Sequence, residues 1–145
     1  MFSPVVPMAA LVLALAACDS APSDSPADVT RQRLVGSWMR SYEEEGTRVR
    51  RLLVLEEQGA FREKTIATRP DGQPPIQSSA SGEWLFDGTN LKRRYRLING
   101  KPLSAPTIPF ATFEVRFRGK SEFIGVDHVR KLEVHYERVA DGTQP

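Results

Sequence analysis

With 145 residues, 40% of them apolar and 26% charged, the chain has material for one folded domain and not comfortably for two. Lys and Arg total 20 against 18 Asp and Glu, and a net charge of +2 is too small to imply a nucleic-acid partner. The single cysteine excludes an internal disulfide and any Cys-based zinc site within one chain.

None of the first 17 residues carries a charged side chain, and Val5 to Ala17 is apolar but for Pro7. A helix of that length spans about 20 Å, short of the roughly 30 Å hydrocarbon core, so an export signal is expected there and not a transmembrane anchor. The run Leu15-Ala16-Ala17-Cys18 resembles the lipobox of bacterial lipoproteins. That resemblance implies removal of residues 1–17, lipidation of the Cys18 thiol and acylation of the new amino group with chains such as palmitate. Several acyl chains on one residue anchor stably where a single chain is marginal. The implied place is the cell envelope, facing the periplasm, with the membrane reached through lipid on Cys18. Asp19 resembles an inner-membrane retention signal of enteric-type sorting, a rule that varies between bacteria, so inner or outer membrane stays open.

Residues 18–30 comprise the lipidated Cys and a stretch rich in Ser, Pro, Ala and Asp, which reads as a flexible tether. The folded domain is expected over 31–140, with at most a short helical turn before Leu34 and a tail over 141–145.

From Leu34 onward the apolar pattern has period two. Phe113, Val115 and Phe117 alternate with Glu114, Arg116 and Arg118. Leu91, Tyr95 and Leu97 alternate with Lys92, Arg94 and Arg96, with Arg93 an exception on the apolar side. Leu132, Val134 and Tyr136 alternate with Glu133, His135 and Glu137. Such alternation puts one face of each strand in a core. With turn signals at Gln58-Gly59, Asp87-Gly88, Asn99-Gly100 and Arg118-Gly119-Lys120, strands are expected near 34–42, 48–56, 60–68, 80–86, 90–98, 110–118, 121–126 and 130–139. Longer loops are expected over 69–77 and 101–109. The predicted fold is all-β: a small antiparallel up-and-down barrel of about eight short strands.

Gly36-Ser37-Trp38 opens the first strand, Gly82-Glu83-Trp84 opens a later one, and Tyr136-Glu137-Arg138-Val139 closes the last. Over about 110 residues this pattern resembles the small lipocalin-like (calycin-type) domains of bacterial lipoproteins. The resemblance implies that the last strand supplies Arg138 to the barrel base. Physically, Gly permits a tight entry into the strand and Trp plugs the narrow end of a small barrel. Arg138 shares a parity with Val134 and is expected against Trp38, a structural contact of about 0.5–2 kcal/mol. Short strands leave little room for a large ligand cavity.

Catalytic chemistry finds few candidates. His128 and His135 are the only histidines, and His135 belongs to a polar strand face. Asp127 adjoins His128, but strand neighbours point to opposite faces. Glu43-Glu44-Glu45 precedes Gly46 and reads as a solvated turn. No phosphate-cradling loop, His-Glu-x-x-His motif or nucleophile elbow is present. No catalytic residue, metal site or cofactor is therefore expected. Lys92, Arg94 and Arg96, with Arg116 and Arg118 on the next strand, form a candidate basic binding patch beside Tyr95. Its bland version is interleaving by Glu83 and Glu114; its functional version is an anionic or amphiphilic ligand, or an acidic face of an envelope protein. The expected role is a non-enzymatic envelope lipoprotein that binds a small amphiphile or a partner protein. The alternative is an inhibitor or accessory subunit of an envelope enzyme, with the loop Arg69 to Gln77 as its projecting element.

Overall fold

The computed structural model describes residues 24–103 and 110–145; the expected export signal, Cys18 and most of the expected tether lie outside the described residues. Alternating side chains build the long strands β1 (Gly36–Glu44), β2 (Thr47–Leu55), β3 (Ala60–Thr68), β4 (Ile76–Phe86) and β5 (Asn90–Ile98). A two-residue strand, β6 (Lys101–Pro102), precedes β7 (Phe110–Arg118), β8 (Glu122–Asp127) and β9 (Leu132–Val139). The long strands follow one another as antiparallel neighbours, and β9 returns to β1. The eight-stranded sheet is thereby closed, which removes the exposed edges of an open sheet. β6 folds back on the end of β5 through Asn99-Gly100, both at positive φ as a two-residue hairpin turn requires. Glu45 and Gly46 make the same kind of turn between β1 and β2, which accounts for the Glu43–Glu45 run.

Side chains at alternate positions meet inside. Trp38, Leu53, Leu55, Phe61, Trp84, Leu91, Phe113, Phe123, Val134 and Tyr136 form the buried core. Phe123 stands edge-on to Trp38 at 4.7 Å and stacks on Tyr136 at 4.9 Å. Fully burying one such side chain contributes roughly 1.5–3 kcal/mol. A small all-β barrel is what the alternation predicts, and the observed barrel is compatible with the lipocalin-like fold that the resemblance implies.

β4 begins at Ile76, inside the loop expected over 69–77, and β6 lies inside the one expected over 101–109; two further local features depart from the sequence reading. Helix α1 (Pro26–Leu34) begins inside the stretch expected to be tether. Its signal is a capping box: the Ser25 side chain accepts from the Asp28 amide, the Asp28 carboxylate accepts from the Ser25 amide, and Pro26 occupies the first helical position. The Ser, Pro and Asp that suggest a flexible linker are here a helix start. The other departure is Leu97, placed by alternation on the apolar side. The β4–β5 register slips between Ser81 and Gly82, so Leu97 lies opposite Ser81 on the outer face and is 37% exposed.

Candidate functional site

The five residues of the Gly-x-Trp pattern and the last strand build the narrow end. Trp38 is fully buried and its indole N–H donates to the Leu34 carbonyl at 2.7 Å. The Arg138 guanidinium lies 4.1 Å above the Trp38 ring and donates to the carbonyls of Val35 (3.0 Å) and Arg33. Gly36 sits at φ +127°, a conformation L side chains rarely adopt, and a methyl group there would come 2.6 Å from Arg138 Nη1 and force the guanidinium to shift. Trp84 donates to Glu56 O at 2.8 Å, with Arg31 5.0 Å above its ring. At Gly82 a methyl would overlap the Arg94 carbonyl oxygen at the register slip. Arg33 adds a second clamp, 3.8 Å over Phe117 and bonded to Gly119 O. Helix α1 is thus pinned across the base of the barrel.

The structure does not gather the basic patch into one surface. Lys92 and Arg94 lie opposite Thr112 and Phe110, whereas Arg116 and Arg118 lie beyond the end of the β5–β7 pairing, opposite Ile124 and Glu122. Local carboxylates engage most of these cations: Lys92 with Asp87 (2.7 Å), Arg96 with Glu83 (3.2 Å), Arg116 with Glu114 (2.9 Å) and Arg118 with Glu122 (3.7 Å). Hydrogen bonds from Lys92 and from the Asn90 and Thr89 amides hold the Asp87 carboxyl well below the usual carboxylate range. His128, then Arg116, lowers Glu114 in the same way. Tyr95 is not beside the patch. The alternation that sends Lys92, Arg94 and Arg96 outward turns Tyr95 inward, edge-on to Phe61 at 5.1 Å.

The histidines also stand on the outer wall. His128 Nε2 lies 2.6 Å from Glu114, and His135 bridges Glu122 (2.9 Å) and Glu133 (3.1 Å). Among the described residues no cluster of His, Cys, Asp and Glu could hold a metal ion.

A different polar group lies inside the barrel. Arg93, the exception in the β5 pattern, is the buried member of an ion pair: its Nη1 is 2.6 Å from Glu63 Oε2. Arg51 reaches the other oxygen of the same carboxylate at 3.7 Å and donates to Thr65 Oγ1 at 3.2 Å. Side-chain exposure falls from 28% at Arg51 to 9% at Glu63 and 2% at Arg93, a gradient from the wide end to a floor. The rings of Phe61, Tyr95 and Phe113 surround the Arg93 guanidinium at 5.3–5.7 Å. Burial opposes the charge on Arg93, but its neighbours, among them Tyr136, Tyr95 and Glu63, raise its pKa above the ordinary value and it stays protonated. Burial pushes the Tyr95 hydroxyl up. Two buried polar atoms here lack a protein partner: Arg93 Nε and the hydroxyl of the fully buried Tyr136.

Sequence reasoning marks Arg93 as misplaced in its strand but does not identify what it meets. Arg51 and Glu63 share the parity of Leu53 and Phe61, and that was the available signal. The seam that closes the sheet is its shortest ladder among the eight long strands: β1 and β9 pair only over Ser37–Met39 and Glu137–Val139. Neither a protein-family model nor a curated protein matches the chain.

Proposed function

We propose that this chain is a non-enzymatic binding protein of the cell envelope, tethered by lipid on Cys18 and closed at its membrane-proximal end. The observation that carries this reading is the asymmetry of the barrel. Helix α1, Trp38 and Arg138 seal the narrow end, while the inner face toward the wide end carries Arg40, Arg51, Glu63 and Arg93 in place of an all-apolar filling. Six residues lie between Cys18 and the Ser25 cap, a reach of at most about 25 Å over the seven Cα–Cα steps. A lipid at Cys18 would therefore keep the sealed end near the bilayer and leave the wide end free toward the periplasm. A buried charged group is costly and adds little stability over an apolar core of the same volume, so its presence favours a binding role.

Native mass spectrometry of the lipidated protein, released gently from membranes, tests this. A reproducible added mass of a few hundred daltons, or a stoichiometric protein partner, is the expected result; a bare monomer with neither overturns it. Replacing Cys18 with Ala should move the protein from the membrane to the soluble fraction, and retention on the membrane would remove the tether from the reading. The second reading, an inhibitor or accessory subunit, is favoured by the loop between β3 and β4, whose residues Arg69–Pro75 are all exposed at the wide end. Shortening that loop should abolish inhibition of an envelope enzyme if this second role is correct, and leave binding inside the barrel intact.

A further inference from the structure

We propose that the outer face of β4, β5 and β7 lies on an anionic bilayer surface and orients the tethered barrel. This inference rests on the reading of Cys18 as the lipid-bearing residue and adds which wall of the domain meets the membrane. The first argument is the apolar pattern of the outer wall. Among the described strand residues that point outward, Leu85 (52% exposed), Leu97 and Phe110 (61%) keep large apolar side chains open, and all three belong to this face. On the wall across the barrel the outward partners Met39 and Leu52 are buried instead, and the tail residues Asp141–Gln144 line one groove with Leu52. Leu85 and Phe110 border a groove of about 270 Å³ together with Glu83, Trp84, Lys92 and Arg94. An apolar outer face left open on one side only marks a contact surface.

The second argument is charge. Glu83, Arg94 and Phe110 are successive cross-strand partners, and Leu85, Lys92 and Thr112 form the row beside them. The carboxylates of this face are already engaged: Asp87 by Lys92, Glu83 by Arg96, and Glu114 by Arg116 and His128. Arg94 makes no ion pair among the described residues, and its Nε is buried without a hydrogen-bond partner. The centre of the face is therefore one anion short. Apolar side chains that enter the headgroup layer beside an Arg that reaches lipid phosphate answer both features together. The third argument is where the tether begins. Helix α1 packs on β4, and a methyl on Gly88 of the β4–β5 turn would lie 3.9 Å from Ala27 Cβ. Leu85 and Lys92 are the outward pair next to that turn. Ser25 caps α1 there, and six residues lie between it and Cys18, so a lipid starts within about 25 Å of the edge of this face. An acidic protein would also satisfy Arg94, but only the bilayer is held beside the face by the tether. Three apolar side chains and one unpaired guanidinium are too few to retain the chain alone, so the face orients what the lipid holds.

The test uses the mature lipidated protein reconstituted into vesicles of phosphatidylcholine, with or without phosphatidylglycerol, whose acyl chains carry bromine as a quencher. Phe110→Trp reports from the face, and Ser41→Trp, at an exposed outward position of β1, reports from the far wall. Emission of the buried Trp38 and Trp84 is subtracted from the parent protein. In vesicles with phosphatidylglycerol the Phe110→Trp emission should shift to the blue and be quenched, while Ser41→Trp stays unquenched. Adding Arg94→Gln should lower the ratio of quenched to unquenched probe about fivefold, the worth of one cation at an anionic surface, and molar salt should do the same. Leu85→Gln, at an exposed position, should lower the ratio severalfold without moving the urea midpoint. Equal quenching of the two probes, or none at Phe110→Trp on protein that floats with the vesicles, overturns the face. Quenching as strong in phosphatidylcholine alone, or unchanged by Arg94→Gln, overturns the anionic surface as its partner. A probe that stays unquenched in lipid but shifts to the blue in native envelope fragments gives the face to an acidic protein and also defeats the inference. Protein that does not float with the vesicles fails earlier, at the lipid on Cys18, and that result removes the tether and this inference together.

Discussion

Arg138 and Trp38 are cross-strand partners in the short β1–β9 pairing, and the same guanidinium that covers the indole also caps the last carbonyls of helix α1. One side chain thus joins the first strand, the last strand and the helix that enters the barrel. Its position explains Gly36, whose absent side chain leaves the space Arg138 Nη1 uses.

Arg138→Ala should therefore lower stability by about 1–3 kcal/mol, combining a cation–π contact with two charge-assisted hydrogen bonds at a partly solvated site. Gly36→Ala should do at least as much, because it adds backbone strain at positive φ to the steric conflict. Urea midpoints with unchanged slopes would give both values. If Arg138→Ala shifts the midpoint by less than the equivalent of about 0.5 kcal/mol, a range typical of surface substitutions, the closure of the base does not depend on it.

The interior pair gives a sharper expectation. Replacing Arg93 with Met leaves Glu63 buried and facing only the more distant Arg51, which should cost about 3–5 kcal/mol. Replacing Arg93 with Met and Glu63 with Leu together removes both charges, and stability should return to within about 1–2 kcal/mol of the parent. A double variant as unstable as the single one would mean that the cluster holds the barrel open against collapse by shape and not by charge. Thermal unfolding of the three proteins under one buffer decides between these.

Much of the barrel was legible because period-two alternation is unambiguous where one face is buried, and Phe113-Val115-Phe117 and Val134-Tyr136 show it without interruption. What alternation cannot show is a slip in register. The slip opposite Gly82 follows from the contact between that glycine and the Arg94 backbone, a long-range fact that moved Leu97 to the outer face. The basic patch failed as a cluster for a related reason: strand assignments were correct, but the offset between β5 and β7 separated Lys92 and Arg94 from Arg116 and Arg118. Arg93 breaks the pattern visibly, whereas its partner Glu63 sits on β3, two strands away across β4, and no spacing along the chain points to it.

Helix α1 was hidden by composition, and its cap can be tested directly. Ser25→Ala removes the side-chain acceptor for the Asp28 amide and should cost about 0.5–2 kcal/mol of helix stability. Because Leu34 and Val35 tie the helix end to Trp38 and Arg138, fraying should be read locally before global unfolding. Hydrogen exchange at the amides of Val29 and Val35, which donate to Ser25 O and Gln32 O, should speed up while strands β2 and β3 stay protected. Uniform acceleration across the barrel would show instead that the helix and the sheet unfold as one unit.

The Asp87 turn between β4 and β5 carries a pH dependence whose sign can be worked out. Lys92, Asn90 and Thr89 all donate to this carboxylate, so its folded pKa lies below the ordinary 3.8 of the unfolded chain. A carboxyl with a depressed folded pKa stabilises fully above the unfolded value and loses that contribution as pH falls through the folded one. Stability should therefore be insensitive to Asp87 from neutral pH down to about 5 and fall below about 4. Asp87→Asn should lower the urea midpoint at pH 7 and flatten its decline between about pH 4 and 2. Because the group is solvent-exposed, molar salt should narrow the gap between parent and variant at pH 7, leaving the share owed to the amide hydrogen bonds. A variant whose acid limb runs parallel to that of the parent would assign the loss of stability in acid to other carboxylates, Glu114 with its His128 and Arg116 donors being the next to replace.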